Sequence, residues 1–337
     1  QTLAEVLKKG RNFGSAKIGK GKTIVIDFSS VNIAKPFHIG HLSSTVIGNA
    51  LYKIYHFLGY KCIGINHLGD WGTQFGKLIV AYEKWGKKGA IAKNPIGELM
   101  ALYVRFHREA ELADKLNDEA RAAFKALEAG NKKYLELWQW FRKISLKEFN
   151  RVYKILNIKF DLFLGESFFN DKVDPIIKAL KKKRLLKKSQ GAEIVELEKF
   201  GLPACLIQRS DGATLYATRD LAAALWRQNK YRPEKILYVV SSAQNLHFRQ
   251  VFKVLEMLDY PWAKNLIHIN FGNVRLEEGT LSTRRGVVVY LEDVLREAII
   301  KAEKVIKEKN PQLQNKKDVA CQVGVGADRD SALRIYC

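Results

Sequence analysis

His38 and His41 stand three residues apart, with Gly40 between them, in Phe37-His38-Ile39-Gly40-His41. Two imidazoles so spaced can share one side of a tight turn and donate to a phosphoryl oxygen as charge develops on it. The apolar run Thr23-Ile24-Val25-Ile26-Asp27-Phe28 ahead of them reads as a buried parallel strand, and Leu42, Val46, Ile47, Leu51 and Ile54 behind them recur at helical spacing. The pair therefore falls at a strand-to-helix turn. Amide N–H groups and the helix dipole attract anions there, and Gly40 lets a ligand approach the backbone. A nucleotide is the expected ligand, with a capping or partly buried histidine as the bland alternative that only the surroundings can displace.

Those surroundings are built from strands and helices in alternation. A second strand at Lys61-Cys62-Ile63-Gly64-Ile65-Asn66 completes a strand–helix–strand unit, which implies parallel strands and a right-handed crossover. Polar runs at 27–36 and 66–76 both follow strands, where open parallel sheets collect their ligands. From residue 83 to 156 the pattern turns helical, in three groups spaced three or four apart: Leu99, Leu102 and Phe106, then Leu112 and Leu116, and later Leu135, Trp138, Phe141, Ser145 and Phe149. Trp138, Trp140 and Phe141 read as core rather than as base-stacking groups. Lysine-rich 178–188 reads as a solvated amphipathic helix, with contact to an RNA backbone as the alternative. A strand at 204–208, a helix from Leu221 and a buried strand at 235–240 ending in Ser241-Ser242-Ala243-Gln244-Asn245-Leu246-His247 repeat the earlier grammar. The expected fold is α/β, a divided Rossmann-like parallel sheet with a mainly helical connective insertion. Residues 1–82 would form its first half, 83–200 the insertion and 201–275 the second half.

At 337 residues the chain can bury a substantial core. No apolar run approaches the roughly 20 residues that span a bilayer, and the N-terminus lacks a charged and then apolar leader, so no membrane partner and a cytoplasmic setting are expected. Cys62, Cys205, Cys321 and Cys337 show neither CxxC pairing nor histidine spacing; free thiols and no protein-bound metal follow. The net charge of +22 favours a polyanionic partner, although lysines spread over every surface would give the same figure.

The His-Ile-Gly-His turn, together with Asp27-Phe28-Ser29-Ser30-Val31-Asn32-Ile33-Ala34-Lys35-Pro36 and Asn66-His67-Leu68-Gly69-Asp70-Trp71-Gly72-Thr73-Gln74-Phe75-Gly76, resembles class I aminoacyl-tRNA synthetases and, within them, the arginyl enzymes. The resemblance runs from about Gly10 to about Ala327. It implies activation of L-arginine by ATP, with Mg2+ accompanying the nucleotide, to give arginyl-adenylate and pyrophosphate, followed by transfer to tRNA(Arg). His38 and His41 would then stabilise the phosphoryl transition state, with His38, Gly40 and His41 on ATP. A guanidinium calls for carboxylates in a fork and a flat neighbour. By the resemblance Asp220 would pair with it, Tyr216 would line its pocket and Asp27 would be a second acidic contact. Ser29, Asn32, His38 and Gln244 would orient the α-amino and carboxylate ends. Tyr216 and Asp220 share one face if a helix begins there.

The second class signature, a mobile basic loop of Lys-Met-Ser-Lys-Ser type, corresponds to Gly279-Thr280-Leu281-Ser282-Thr283-Arg284-Arg285-Gly286 within an expected segment 276–327. Thr280 and Leu281 depart from the usual Lys-Met, which leaves Arg284 and Arg285 to meet pyrophosphate and Ser282 and Arg284 to meet ATP. Val31 stands where the family usually has proline and Ser43 where it usually has arginine; a looser loop at Asn32 and the loss of a fixed charge are expected. Family members normally add an N-terminal tRNA-binding domain and a C-terminal helical anticodon-binding domain. This chain reads as a catalytic core without them, a monomer, with 328–337 an unrelated tail. The alternatives are a relative that binds arginine, ATP or RNA without turnover, and a nucleotidyltransferase joining a different amine-bearing acid to AMP.

Overall fold

The computed structural model describes residues 2–210, 214–272 and 288–334. Helix α1 (Thr2–Lys9) precedes strand β1 (Thr23–Asp27), helix α2 (Leu42–Phe57) and strand β2 (Lys61–Asn66). Five helices follow: α3 (Thr73–Trp85), α4 (Lys88–Lys93), α5 (Pro95–Leu112), α6 (Lys115–Glu128) and α7 (Lys132–Ile155). Next come β3 (Leu162–Phe163), α8 (Asp174–Lys182), β4 (Leu186–Ser189), β5 (Ala192–Val195) and β6 (Cys205–Gln208). The chain continues through α9 (Tyr216–Tyr231), β7 (Lys235–Val239), α10 (Asn245–Met257) and β8 (Leu266–Ile269) to α11 (Leu291–Lys309) and α12 (Lys316–Arg334).

Five strands form one parallel sheet in the order β3-β2-β1-β7-β8, so β1 lies at its centre and the two halves of the chain meet across β1 and β7. Successive side chains of a strand point to opposite faces. Ile24 and Ile26 accordingly join a core with α2, α3, α5 and α7, while Val25 joins a second core with α8, α9 and α10. Burial on both faces explains why β1 is apolar without alternation. It also leaves the strand ends as the place where polar side chains can gather.

The helical region 83–156 contains α4 to α7, with Phe106, Phe141 and Phe149 fully buried. Leu112 departs from the expected stripe: it ends α5 and is 83% exposed. Two boundaries also fall elsewhere than expected. β3, inside 83–200, returns to the parallel sheet beside β2, whereas β6, expected in the second half of that sheet, belongs to a separate antiparallel sheet β4-β5-β6. The basic stretch 178–188 is not one helix. Arg184 takes a left-handed conformation just past α8, and Leu186–Ser189 turns back on Ala192–Val195 through Gln190-Gly191, both at positive φ as a tight hairpin requires. Part of its charge is also balanced, through Lys183 with Asp259 and Lys187 with Glu196. Asp328–Arg334, expected as part of a tail, completes α12, which packs on α11 and α2 and buries Ala332.

Candidate active site

The histidine turn is closed by its own hydrogen bonds. The His38 amide donates to His41 Nδ1 (3.3 Å), the Gly40 amide to His38 Nδ1 (3.1 Å), the His41 amide to the His38 carbonyl (2.9 Å), and the Ile39 amide to the Val289 carbonyl (3.0 Å). The expected backbone cradle for phosphate is therefore not what this turn offers: Gly40 and its neighbours spend their N–H groups internally. What it offers instead is two ring edges. Each ring accepts at Nδ1, which assigns its proton to Nε2, and the ring centroids lie 3.9 Å apart. Burial, helped by Lys35, pushes His38 down to about 4; burial and the neighbouring His38 hold His41 well below the usual histidine value. Both imidazoles are thus neutral near pH 7.

Residues 288–291 fasten this turn to the chain beyond the second signature. Tyr290 bridges antiparallel to His38, and the Leu291 amide donates to the Phe37 carbonyl at 2.9 Å. Ser282, Arg284 and Arg285, with Thr280 and Leu281, lie outside the described residues.

Beneath the turn, Ser29 is 3% exposed and its hydroxyl is shared between Tyr153 Oη (2.7 Å) and Thr45 Oγ1 (2.8 Å). Tyr153 Oη also accepts from Asn66 Nδ2 at 2.8 Å, so α7 ties together the ends of β1 and β2. Ser29 was expected to orient a substrate; its hydroxyl is instead committed to this buried network. The network supports a backbone at φ 73° in Ser29 and 50° in Ser30, values that need local compensation in a non-glycine residue. The loop at Asn32 is not loosened by Val31. Val31 is fully buried, and its carbonyl and the Ile33 amide bond Gly69 at 3.1 Å each. Ser43 is 4% exposed in the packed first turn of α2, away from any free surface.

At the ends of β1, β2 and β7 lies a hollow of about 470 Å³. Asp27, Asn32, Tyr216, Asp220 and Gln244 all line it; among the described residues its wall does not include Ser29, His38, Gly40 or His41. Helix α9 begins at Tyr216, so Tyr216 at the rim and Asp220 below it share one helical face. The hollow also collects residues that sequence reasoning left out: His67, Glu166, Arg219, Tyr238 and His247.

Its charges form a chain. Asp27 Oδ2 is 2.7 Å from the guanidinium of Arg227, which is 1% exposed, and Arg227 donates to His67 Nδ1 at 3.3 Å. His67 Nε2 then faces Asp220 Oδ1 at 4.0 Å, and His247 Nε2 meets Asp220 Oδ2 at 2.6 Å. Asp27 is thus satisfied from inside the protein, unlike the open second acidic contact expected of it. Burial alone would raise the Asp220 carboxyl, but the His247 hydrogen bond, with His67 and Arg227, outweighs it and holds the group below the ordinary carboxylate value. Asp220 stands ionised against the hollow.

Glu166 differs. It follows β3 on a turn whose position is set by buried Asp70, which accepts from the Ser167 amide and hydroxyl (2.9 Å each) and from Arg142 Nε (3.1 Å). The Asp70 carboxylate fills the space where a side chain on Gly165 would start, which is why glycine stands there. Glu166 has a charge contact with Arg219 at 3.4 Å, but its Oε2 accepts no hydrogen bond from the described residues. Burial pushes it up to about 8 against the pull of Arg219, with Asp220 and Asp70 adding to the rise. A two-residue strand is too short to show a period, so nothing marked Glu166 in the sequence. Arg227 was within reach, because seven residues past Asp220 is the same face of the same helix.

The chain belongs to the family "tRNA synthetases class I (R), catalytic domain", whose model matches residues 2–334. It is 58% identical over 325 residues to a protein named arginine–tRNA ligase from Clostridioides difficile, covering 96% of this chain and 57% of that protein. A protein of the same name from Clostridium beijerinckii is 54% identical over 326 residues, covering 97% and 58%. The arginyl-tRNA synthetase of Plasmodium falciparum superposes with a TM-score of 0.74 at 27% identity, covering 91% of this chain and 51% of that one. The Thermus thermophilus arginyl-tRNA synthetase shares the fold at a TM-score of 0.80 and 23% identity, covering 98% and 61%. The chain spans about 57% of the length of the curated relatives it matches.

Proposed function

We propose that this chain activates L-arginine with ATP, forming arginyl-adenylate and pyrophosphate, for transfer to tRNA(Arg). The observation that carries this reading is the hollow at the strand ends, where an ionised Asp220 and Glu166 both line the wall beneath Tyr216. Five N–H donors in a planar fork, two to an edge, and a flat face suit a guanidinium to two carboxylates and an aromatic rim, whereas a lysine ammonium would satisfy fewer of these acceptors. Asp220, Glu166 and Tyr216 would hold the side chain, and Asn32 and Gln244 the α-amino and carboxylate ends. Asp27 acts behind them, through Arg227 and His67.

The arginine carboxylate would attack the α-phosphorus of ATP in line, with the Nε2–H groups of His38 and His41 donating to phosphoryl oxygens. Neutral donors fit this task, because they stabilise gathering charge without holding the ground state as a salt. Ser282, Arg284 and Arg285 are proposed for the ATP phosphates on their sequence alone. Mg2+ would arrive with the nucleotide; among the described residues no group of three or more His, Cys, Asp or Glu is arranged to hold a metal. No described helix is long and apolar enough to cross a membrane. As part of this reading, rather than from that absence, the protein is assigned to the cytoplasm, acting as a monomer.

ATP–pyrophosphate exchange with arginine, lysine and ornithine, each with and without tRNA, tests the reading. Exchange confined to arginine is expected. Exchange with lysine or ornithine at equal rates would remove the pocket assignment, and no exchange beside an active full-length enzyme would favour a chain that binds without turnover.

A further inference from the structure

Arg219 is a puzzle for an arginine pocket, because a second guanidinium already lies against one of its carboxylates. It is 7% exposed, its Nη1 donates to the Thr214 carbonyl at 3.4 Å, and its guanidinium carbon lies 5.5 Å from the centre of the Tyr216 ring. Its Nε faces Glu166 Oε2 at 3.4 Å, yet neither atom completes a hydrogen bond among the described residues. The contact supplies charge without saturating the acceptor. A bidentate pair would have closed Glu166 to any other donor.

The surroundings of Glu166 explain why charge is needed there. From α9 it faces Asp220, Tyr216 and Arg219; from the loop after β2 it faces Asp70; and His67 stacks on Phe169 of its own turn. Asp70 and Asp220 are both acidic and both oppose ionisation of Glu166. Burial does the same. Arg219 is the cation that the geometry sets against these effects: its guanidinium lies 3.4 Å from the carboxylate and is itself nearly buried.

We propose that Arg219 is a positioning residue of the arginine pocket, whose guanidinium, set against the enclosed Oε2 of Glu166, eases ionisation of that carboxyl and orients it at the hollow it lines, ready for the substrate's guanidinium. The proposal rests on the reading of the hollow as the arginine site. In the bound state two carboxylates, Glu166 and Asp220, would face two guanidinium groups, so the charges balance within the pocket. Without substrate the balance is incomplete and Glu166 sits high, at about 8. Arginine binding is then coupled to loss of a proton from Glu166.

The test is arginine affinity by titration calorimetry on this chain, from about pH 6.5 to about pH 8.5, for the wild type, Arg219→Gln, Arg219→Lys and Glu166→Gln, with thermal unfolding of each. Wild-type affinity should tighten as pH rises, by up to tenfold for each pH unit below the Glu166 transition. Arg219→Gln should weaken binding by at least about tenfold near neutral pH and move the tightening to higher pH. Arg219→Lys should restore most of the wild-type profile, and Glu166→Gln should flatten it. A uniform loss in Arg219→Gln with an unmoved pH profile would reduce Arg219 to a packing role and overturn the proposal. Tighter binding in that variant would make Arg219 a competitor for the site and overturn it as well. If the wild type and Asp220→Asn bind arginine equally poorly, the reading of the hollow fails and the proposal with it.

Discussion

The two polar regions at the strand ends are built on opposite plans. At the histidine turn every described amide from His38 to His41 is spent within the protein, the rings are neutral, and the backbone is pinned to residues 288–291. In the hollow the charges are paired yet not exhausted: Asp27 is closed off by Arg227, Asp220 is held ionised by His247, and Glu166 faces Arg219 without a completed hydrogen bond. The difference matches the proposed ligands. A phosphoryl group brings its own charge, and more gathers on its oxygens in the transition state, so it needs donors fixed in place. A guanidinium brings a permanent charge, and counter-charges must be waiting without having neutralised one another.

The sharpest way to break this comparison is to attack the pair that closes off Asp27. Asp27→Ala leaves the Arg227 guanidinium buried and uncompensated and should cost about 3–5 kcal/mol of stability, visible in denaturant unfolding. A loss confined to arginine affinity, with unfolding unchanged, would make Asp27 a substrate contact after all. Asp220→Ala comes next. Removing the ionised carboxylate should weaken arginine binding by about 100-fold, the lower end for truncating one partner of a buried charge pair, and leave ATP binding intact. Equal losses for both ligands would merge the two regions into one.

His41→Ala should lower the exchange rate by about 100-fold at saturating substrates while the arginine KM moves little. The pH dependence carries a sign as well. With His38 pushed down to about 4 and His41 held well below the usual histidine value, neither ring changes charge between pH 6 and 8, so no histidine limb should appear there in the rate for saturated enzyme. A limb near pH 6.5 that disappears in His41→Ala would show that the ring works as a cation.

Much of the sheet was legible because burial on both faces writes β1, β2 and β7 as apolar runs, and the turns after them carry long polar strings. Asp27, Asn32, Tyr216, Asp220 and Gln244 were reachable for the same reason: each lies in or just after such a string, and each lines the hollow. Glu166 was not, because the strand that delivers it has two residues and its position depends on Asp70, nearly a hundred residues earlier. Nor could spacing reveal that the Gly40 amide would be taken by His38, since a strand-to-helix turn with free amides and one with closed amides have the same pattern of types. Ser29 was misjudged on similar grounds. A hydroxyl beside a site looks like a ligand until the buried groups that compete for it, here Tyr153 and Thr45, are known.

The smallest expected effect sharpens the link between the two regions. Tyr153 reaches from α7 into the space under both strand ends, with its hydroxyl bonded to Ser29 and Asn66. Tyr153→Phe keeps the ring and its edge contacts with Phe37 and Phe160 but deletes both hydrogen bonds. Net loss should be about 1–2 kcal/mol, because Ser29 retains Thr45 while the Asn66 amide loses its buried partner. Ser29 and Ser30 would then be held by Thr45 at the Ser29 hydroxyl, by Ser44 at the Ser29 amide (2.9 Å) and by Asp27 at the Ser30 hydroxyl (3.2 Å). Unfolding should shift by a few degrees on the order expected for such a loss, and the exchange rate should fall more than arginine affinity, since Phe37 leads directly into the histidine turn. A change in arginine affinity alone would instead mean that the network serves the hollow, and that the two strand ends are mechanically independent.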